Sequence, residues 1–203
     1  MEQSELNLKH SFLATLEFEG KPVVMNFERM KKRLENDRYS VRERTEFELI
    51  LRGDKYSNYL TLADKERHEP QLFYFECLGD KYTILVAEGS AQGFYLSMEG
   101  SERVCVPVGE DPTMFRLYDG HKVVVYDRPD VDLFGIHLVS WSTKSSVFKL
   151  GERGDYYFSD SKEGRSEFAL FPDSTEFAVR VISSGHGHSI ERNGIPHLPT
   201  ANN

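Results

Sequence analysis

The chain has 203 residues, 39% of them apolar and 29% charged, with fourteen Phe, ten Tyr and a formal net charge of −8. A chain of this length buries roughly 70% of its unfolded surface, enough for one domain held by its core without disulfide or metal staples. The acidic balance excludes a general binder of nucleic acid or of anionic membranes, and no run approaches the ~18 apolar residues of a membrane span.

The N-terminal stretch is polar and acidic and has no continuous apolar segment of the secretory type. The chain therefore reads as a soluble, cytoplasmic protein, with leaderless export as the alternative. "SFLATLEFEGKPVVMNF" predicts a hairpin around Gly20. From Asn26 to Arg38, "NFERMKKRLENDR" places Phe27, Met30 and Leu34 at i, i+3 and i+7. This spacing predicts a short amphipathic helix with Asn26 as its N-cap and with Arg29, Lys31, Lys32 and Arg33 clustered along it.

A second kind of pattern then dominates. Five segments begin with Phe, alternate apolar and polar residues, reach a Gly, Asp or Pro turn, and leave through another aromatic or β-branched run. They are Phe47 to Leu62, Phe73 to Val86, Phe115 to Tyr126, Phe148 to Phe158 and Phe168 to Val181. Period-two spacing on both sides of a short turn predicts antiparallel hairpins. Between them recur "NYLTLAD", "FYLSMEG" and "YYFSDSKEG", each followed by a Phe-led strand. The unit is about forty residues long, and three such units bury a face together.

A Tyr-Leu strand, a short polar strand and a closing Phe-x-Leu strand resemble the unit of the β-trefoil proteins, which include interleukin-1 and fibroblast growth factor cytokines, fascin, ricin-type lectins and Kunitz-type inhibitors. The stretch from Gln71 to Tyr118, "QLFYFECLGDKYTILVAEGSAQGFYLSMEG" and then "MFRLYD", is similar to the closing hairpins of the interleukin-1 cytokines. Here a long further stretch follows it, and the third unit carries an insert, "DRPDVDLFGIHLVSWSTKSS". The resemblance implies a β-trefoil; another closed antiparallel barrel or a sandwich is the alternative. The expected fold is all-β, with one short helix near residues 26–38. The expected domain is residues 1–182, in which 1–46 either join the repeat or form an accessory piece, followed by a flexible tail at 183–203. The expected core is Phe47, Leu49, Leu60, Phe73, Phe75, Leu85, Tyr95, Leu96, Phe115, Leu117, Val124, Phe148, Phe168 and Leu170.

The chemistry-bearing motifs are few. Cys77 and Cys105 sit inside apolar runs and read as buried thiols. Arg52-Gly53-Asp54 and Arg153-Gly154-Asp155 fall at predicted turns, where Gly-Asp is expected for backbone reasons. His186, His188 and His197 could share a metal only within a rigid frame, which the surrounding polar stretch does not offer. No nucleophile elbow, phosphate-cradling glycine loop or activated-thiol setting occurs, so no cofactor is expected. The candidate binding residues are the single Trp141 with His137 and Lys144 in the insert, and the basic stretch Arg29, Lys32 and Arg33. Together these features predict a non-catalytic binding protein whose loops engage a protein partner or a carbohydrate. An interleukin-1-type signalling protein and a barrel enzyme or small-ligand carrier are the alternatives.

Overall fold

A computed structural model describes residues 3–53, 55–65, 68–99, 106–128, 131–152, 155–160 and 175–184. The chain runs through α1 (Gln3–His10), β1 (Phe12–Phe18), β2 (Lys21–Met25), α2 (Asn26–Leu34), α3 (Val41–Leu51), a 3₁₀ turn (Lys55–Asn58) and β3 (Leu60–Leu62). It continues through β4 (Leu72–Leu78), β5 (Lys81–Val86), β6 (Tyr95–Ser97), β7 (Val106–Val108), β8 (Phe115–Asp119) and β9 (Lys122–Val124). The last elements are β10 (Leu133–Ser140), β11 (Val147–Glu152), β12 (Asp155–Asp160) and β13 (Phe177–Ser184). Among the described residues no helix is long and apolar enough to cross a membrane.

Six strands close a ring, every neighbouring pair antiparallel. β1 pairs with β4, β4 with β5, β5 with β8, β8 with β10, β10 with β13, and β13 returns to β1. The connectivity repeats three times. Two ring strands enclose one outer hairpin: β1 and β4 enclose β2–β3, β5 and β8 enclose β6–β7, and β10 and β13 enclose β11–β12. β9 is an additional strand folded back on β8, and α2 and α3 lie in the chain between β2 and β3.

Alternation in the sequence accounts for the closure. Phe12, Ala14 and Leu16 of β1, Phe73, Phe75 and Cys77 of β4, and Tyr82, Ile84 and Val86 of β5 are buried in one core. Phe115 and Leu117 of β8, Ile136 and Leu138 of β10, and Phe177 and Val179 of β13 join them. Each set is spaced by two, so each strand turns one complete face inward. Phe12 and Phe75, directly paired in register, stack with ring centroids 4.6 Å apart. Tyr126 packs on Phe12 at 4.5 Å, and its backbone N–H donates to the hydroxyl of Tyr82 at 2.9 Å. The interior is thus filled with aromatic rings, and the Tyr126 hydroxyl in turn accepts from the Val131 N–H at 3.1 Å. Cys77 is buried and reduced, its thiol pushed up by that burial. Cys105 lies outside the described residues.

The hairpins predicted at Gly20, over Phe73 to Val86, over Phe115 to Tyr126 and over Phe148 to Phe158 are present. The hairpin predicted over Phe47 to Leu62 is not. Its first half is α3, which starts at a reciprocal cap: the Ser40 side chain accepts from the Glu43 backbone, and the Glu43 carboxylate accepts from the Ser40 N–H. Spacing by two places Phe47 and Leu49 on different sides of a helix. Phe47 packs edge-on against Tyr39 at 5.0 Å, and Leu49 is exposed. Leu49 is therefore removed from the expected core. Leu60, Phe73, Phe75, Leu85, Leu96, Phe115 and Leu117 are buried as expected, Val124 packs partly against the core, and Tyr95 and Phe148 are half-buried. Phe168 and Leu170 lie outside the described residues.

Two further expectations change. Asn26 does not cap α2; Met25 holds that position, and Asn26 is a fully buried linker within the helix. The predicted insert contains β10, a ring strand of eight residues, and the turn after Ser140 follows it. The ring includes β1, and β13 extends through Ser184.

The stacked pair at the centre of the ring supplies the first test. Phe12→Ala removes a fully buried ring and should lower the unfolding free energy by about 3–5 kcal/mol in urea denaturation. A loss under about 1 kcal/mol would mean that the Phe12–Phe75 stack does not hold the ring closed.

Candidate binding surfaces

Trp141 stands on the turn between β10 and β11. That turn is built from the hydroxyl-rich run Ser140 to Ser146, and the hydroxyls explain its shape. The backbone N–H of Ser140 donates to the Ser145 carbonyl at 2.9 Å, and that of Lys144 to the Ser140 carbonyl at 3.0 Å. The Ser140 hydroxyl accepts from the Thr143 N–H, and the Thr143 hydroxyl accepts from the Ser145 N–H, each at 3.3 Å. Ser142 reaches out to the Glu99 carboxylate at 2.9 Å. Short polar side chains thus satisfy the backbone locally, as they do in tight turns. Lys144 adopts the left-handed conformation, with φ of 60°, which costs a non-glycine residue about 1 kcal/mol.

The ring strands bring two more cations to the same turn. Tyr82 of β5 and Ser140 of β10 both pair with Phe115 of β8, so the adjoining residues Lys81, Arg116 and Trp141 meet at one end of the barrel. The backbone N–H of Trp141 donates to the Met114 carbonyl at 2.7 Å, which fixes the turn against β8. The Lys144 ammonium lies 3.3 Å from the Trp141 ring centroid, the Arg116 guanidinium 4.0 Å and the Lys81 ammonium 4.2 Å. Each cation–π contact is worth about 0.5–1 kcal/mol at an exposed site. The cations also repel one another, by about 0.5 kcal/mol per pair in water. Arg116 is paired with Asp80. Trp141 is 36% exposed and its neighbour Met114 40%.

The basic stretch of α2 behaves differently. Arg29 and Arg33, one helical turn apart, point at two carboxylates from separate hairpins: Asp64, just after β3, and Asp155, the first residue of β12. Arg33 grips Asp64 with both arms of its fork, Nε at 2.7 Å and Nη2 at 2.5 Å, and reaches Asp155 at 3.1 Å. Arg29 is 4% exposed and holds Asp155 at 2.8 Å, the Asn26 side chain at 3.1 Å and the Leu62 carbonyl at 3.3 Å. Asn26 in turn donates to the Tyr56 carbonyl at 2.9 Å. α2 is therefore a polar clamp between the outer hairpins. Burial lowers the Arg29 guanidinium, an effect that Asp155 opposes. Burial alone would raise the Asp64 carboxyl, but the hydrogen bond and charge of Arg33 outweigh it and hold it below its ordinary 3.8.

Beside this clamp lies a cleft of about 490 Å³, walled by Lys32, Glu28, His68, Glu69, Gln71 and Gly89. Lys32 faces the Glu69 carboxylate at 3.8 Å. Burial, and then the charge of Lys32, lowers the His68 imidazole below its ordinary range.

The residues singled out from the sequence thus separate. Trp141 and Lys144 share one surface, which Lys81 and Arg116 complete. His137 is buried on β10, away from that turn. Arg29 and Arg33 form the internal clamp, and Lys32 lines the cleft. His186, His188 and His197 lie outside the described residues. Of the two Arg-Gly-Asp sequences, Arg52 and Gly53 follow the end of α3, and the carboxylate of Asp155 is held by the clamp. Lys81 and Arg116 had a weak sequence signal: each precedes an inward residue, Tyr82 and Leu117, and so points outward. No family model matches the chain, and no curated protein matches it.

The clamp has a defined pH dependence. A carboxyl held below its unfolded value stabilises the fold above that value and ceases to do so as the pH falls through the lower, folded value. Asp64→Asn should therefore destabilise the protein by about 2 kcal/mol at neutral pH, as expected for a half-buried pair. The gap to wild type should be constant above about pH 5 and close as the pH falls below 3.8. Equal stability of the two proteins at pH 7 in urea denaturation would remove the clamp.

Proposed function

We propose that this is a non-catalytic binding protein on a β-trefoil scaffold, and that it engages a protein partner through the surface around Trp141. The trefoil reading rests on the threefold recurrence of two ring strands enclosing an outer hairpin. Such a scaffold leaves its connections free for recognition, while the ring carries stability.

The observation that carries the partner surface is a solvent-reaching tryptophan on a turn stitched by its own hydroxyls. Large amphipathic rings on rigid supports are the residues around which protein interfaces concentrate their binding energy. Two features favour a protein over the other readings. The ring interior is packed with Phe12, Phe75, Tyr82 and Tyr126, which favours recognition at the surface over carriage of a ligand inside the barrel. Three cations lie over the Trp141 ring at 3.3–4.2 Å, and a sugar ring would compete with them for stacking.

The test compares proteins retained from the native source by immobilised wild type and by Trp141→Ala, quantified by mass spectrometry. Trp141 is outside the core but carries three cation–π contacts, so the variant should lose about 1.5–3 kcal/mol and is compared where circular dichroism shows it folded. A defined set of proteins should be enriched on wild type and lost on the variant. Identical sets on both would refute the surface.

A further inference from the structure

We infer that the segment taken up at Trp141 is acidic: a short run of a protein partner in which aspartate or glutamate alternates with apolar residues. This rests on the binding reading above and adds to it the chemistry of the partner. The molecule carries a net charge of −8, yet at this one turn three cations converge on a single ring. The other basic cluster shows how the fold treats cations that it keeps for itself. Arg29 and Arg33 are matched by Asp64 and Asp155, and Lys32 faces Glu69. At the turn only Arg116 is matched, by Asp80, while Glu99 is taken up by the hydroxyls of Ser142 and Thr113. Neither Lys81 nor Lys144 has a carboxylate within ion-pair distance among the described residues. Among the described residues, two ammonium groups without a carboxylate partner are thus held against one aromatic ring, one of them on a left-handed residue.

This arrangement favours carboxylates that arrive from outside. Met114 beside Trp141 adds exposed apolar surface, which suits apolar residues between the acidic ones. The same charge balance disfavours long polyanions. Charges interact over about 8 Å at physiological salt. A chain of sulfates or phosphates would run beyond two lysines onto a surface that is acidic overall, and a short segment would not.

Trp141 is the only tryptophan, so its fluorescence reports on this turn alone. The probe is a synthetic heptapeptide in which glutamate alternates with leucine, titrated into wild type beside its glutamine counterpart and a sulfated oligosaccharide. The glutamate peptide should shift the emission saturably and weaken as salt is raised. The glutamine peptide, and the glutamate peptide on Lys81→Glu/Lys144→Glu, should each bind at least about tenfold more weakly. Lys81→Gln/Lys144→Gln serves if charge reversal disturbs folding, as read by circular dichroism. Equal binding of the glutamine peptide, undiminished binding to the charge variants, or tighter binding of the oligosaccharide would overturn the inference. So would self-association of wild type that the reversal abolishes, because the occupant would then be a second copy. If Trp141→Ala loses native partners while the acidic peptide fails, the surface stands and the acidic segment falls. If Trp141→Ala keeps those partners, the underlying reading falls as well.

Discussion

Phe12 of the first ring strand lies flat on Phe75 of its neighbour, and β1 is also the strand to which β13 must return. The six strands therefore share one constraint: every inward residue is spaced by two, and the sets meet at the centre only if all six registers agree. A slip of one residue in β1 would carry Phe12, Ala14 and Leu16 to the outside together. It would also unpair β13 and leave two long open edges. The closed ring avoids both, and it does so with aromatic side chains that fill the interior.

The positions of the connections follow from that ring. Lys81, Arg116 and Trp141 are distant in sequence and lie on β5, on β8 and just after β10. They meet because β5 and β10 both pair with β8 at Phe115. The turn is then held by its own serines, by Thr143 and by the Trp141 N–H bond to the Met114 carbonyl. The aromatic ring is thereby set on an ordered backbone.

Positive charge is handled in two ways within one acidic chain. Inside, α2 supplies two guanidiniums to two carboxylates and ties the outer hairpins β2–β3 and β11–β12 together. The match is close because unpaired buried charge is costly. Outside, the lysines beside Trp141 are balanced by the ring's π face and by water. The first arrangement serves the fold, and the second leaves two ammonium groups without a carboxylate partner among the described residues.

The strands were legible from the sequence because period-two alternation is a local signal, and it located the hairpins at Gly20, Gly79, Gly120 and Phe148 to Phe158. The same signal misled at Phe47 and Leu49, where Ser40 and Glu43 start a helix and the two side chains diverge. It also made β10 look like an insert, since a ring strand and a long loop differ only in what pairs beside them. Of the candidate surface, Trp141 and Lys144 could be chosen from their chain position, but Lys81 and Arg116 could not. The sequence by itself determined where most strands and their turns lie, because alternation depends only on neighbours two positions away; on β5 it favoured Leu85, while Tyr82, Ile84 and Val86 face the core. Tertiary structure alone decided which basic residues are neutralised and which remain available, because carboxylates reach cations through strand pairings that no local spacing encodes.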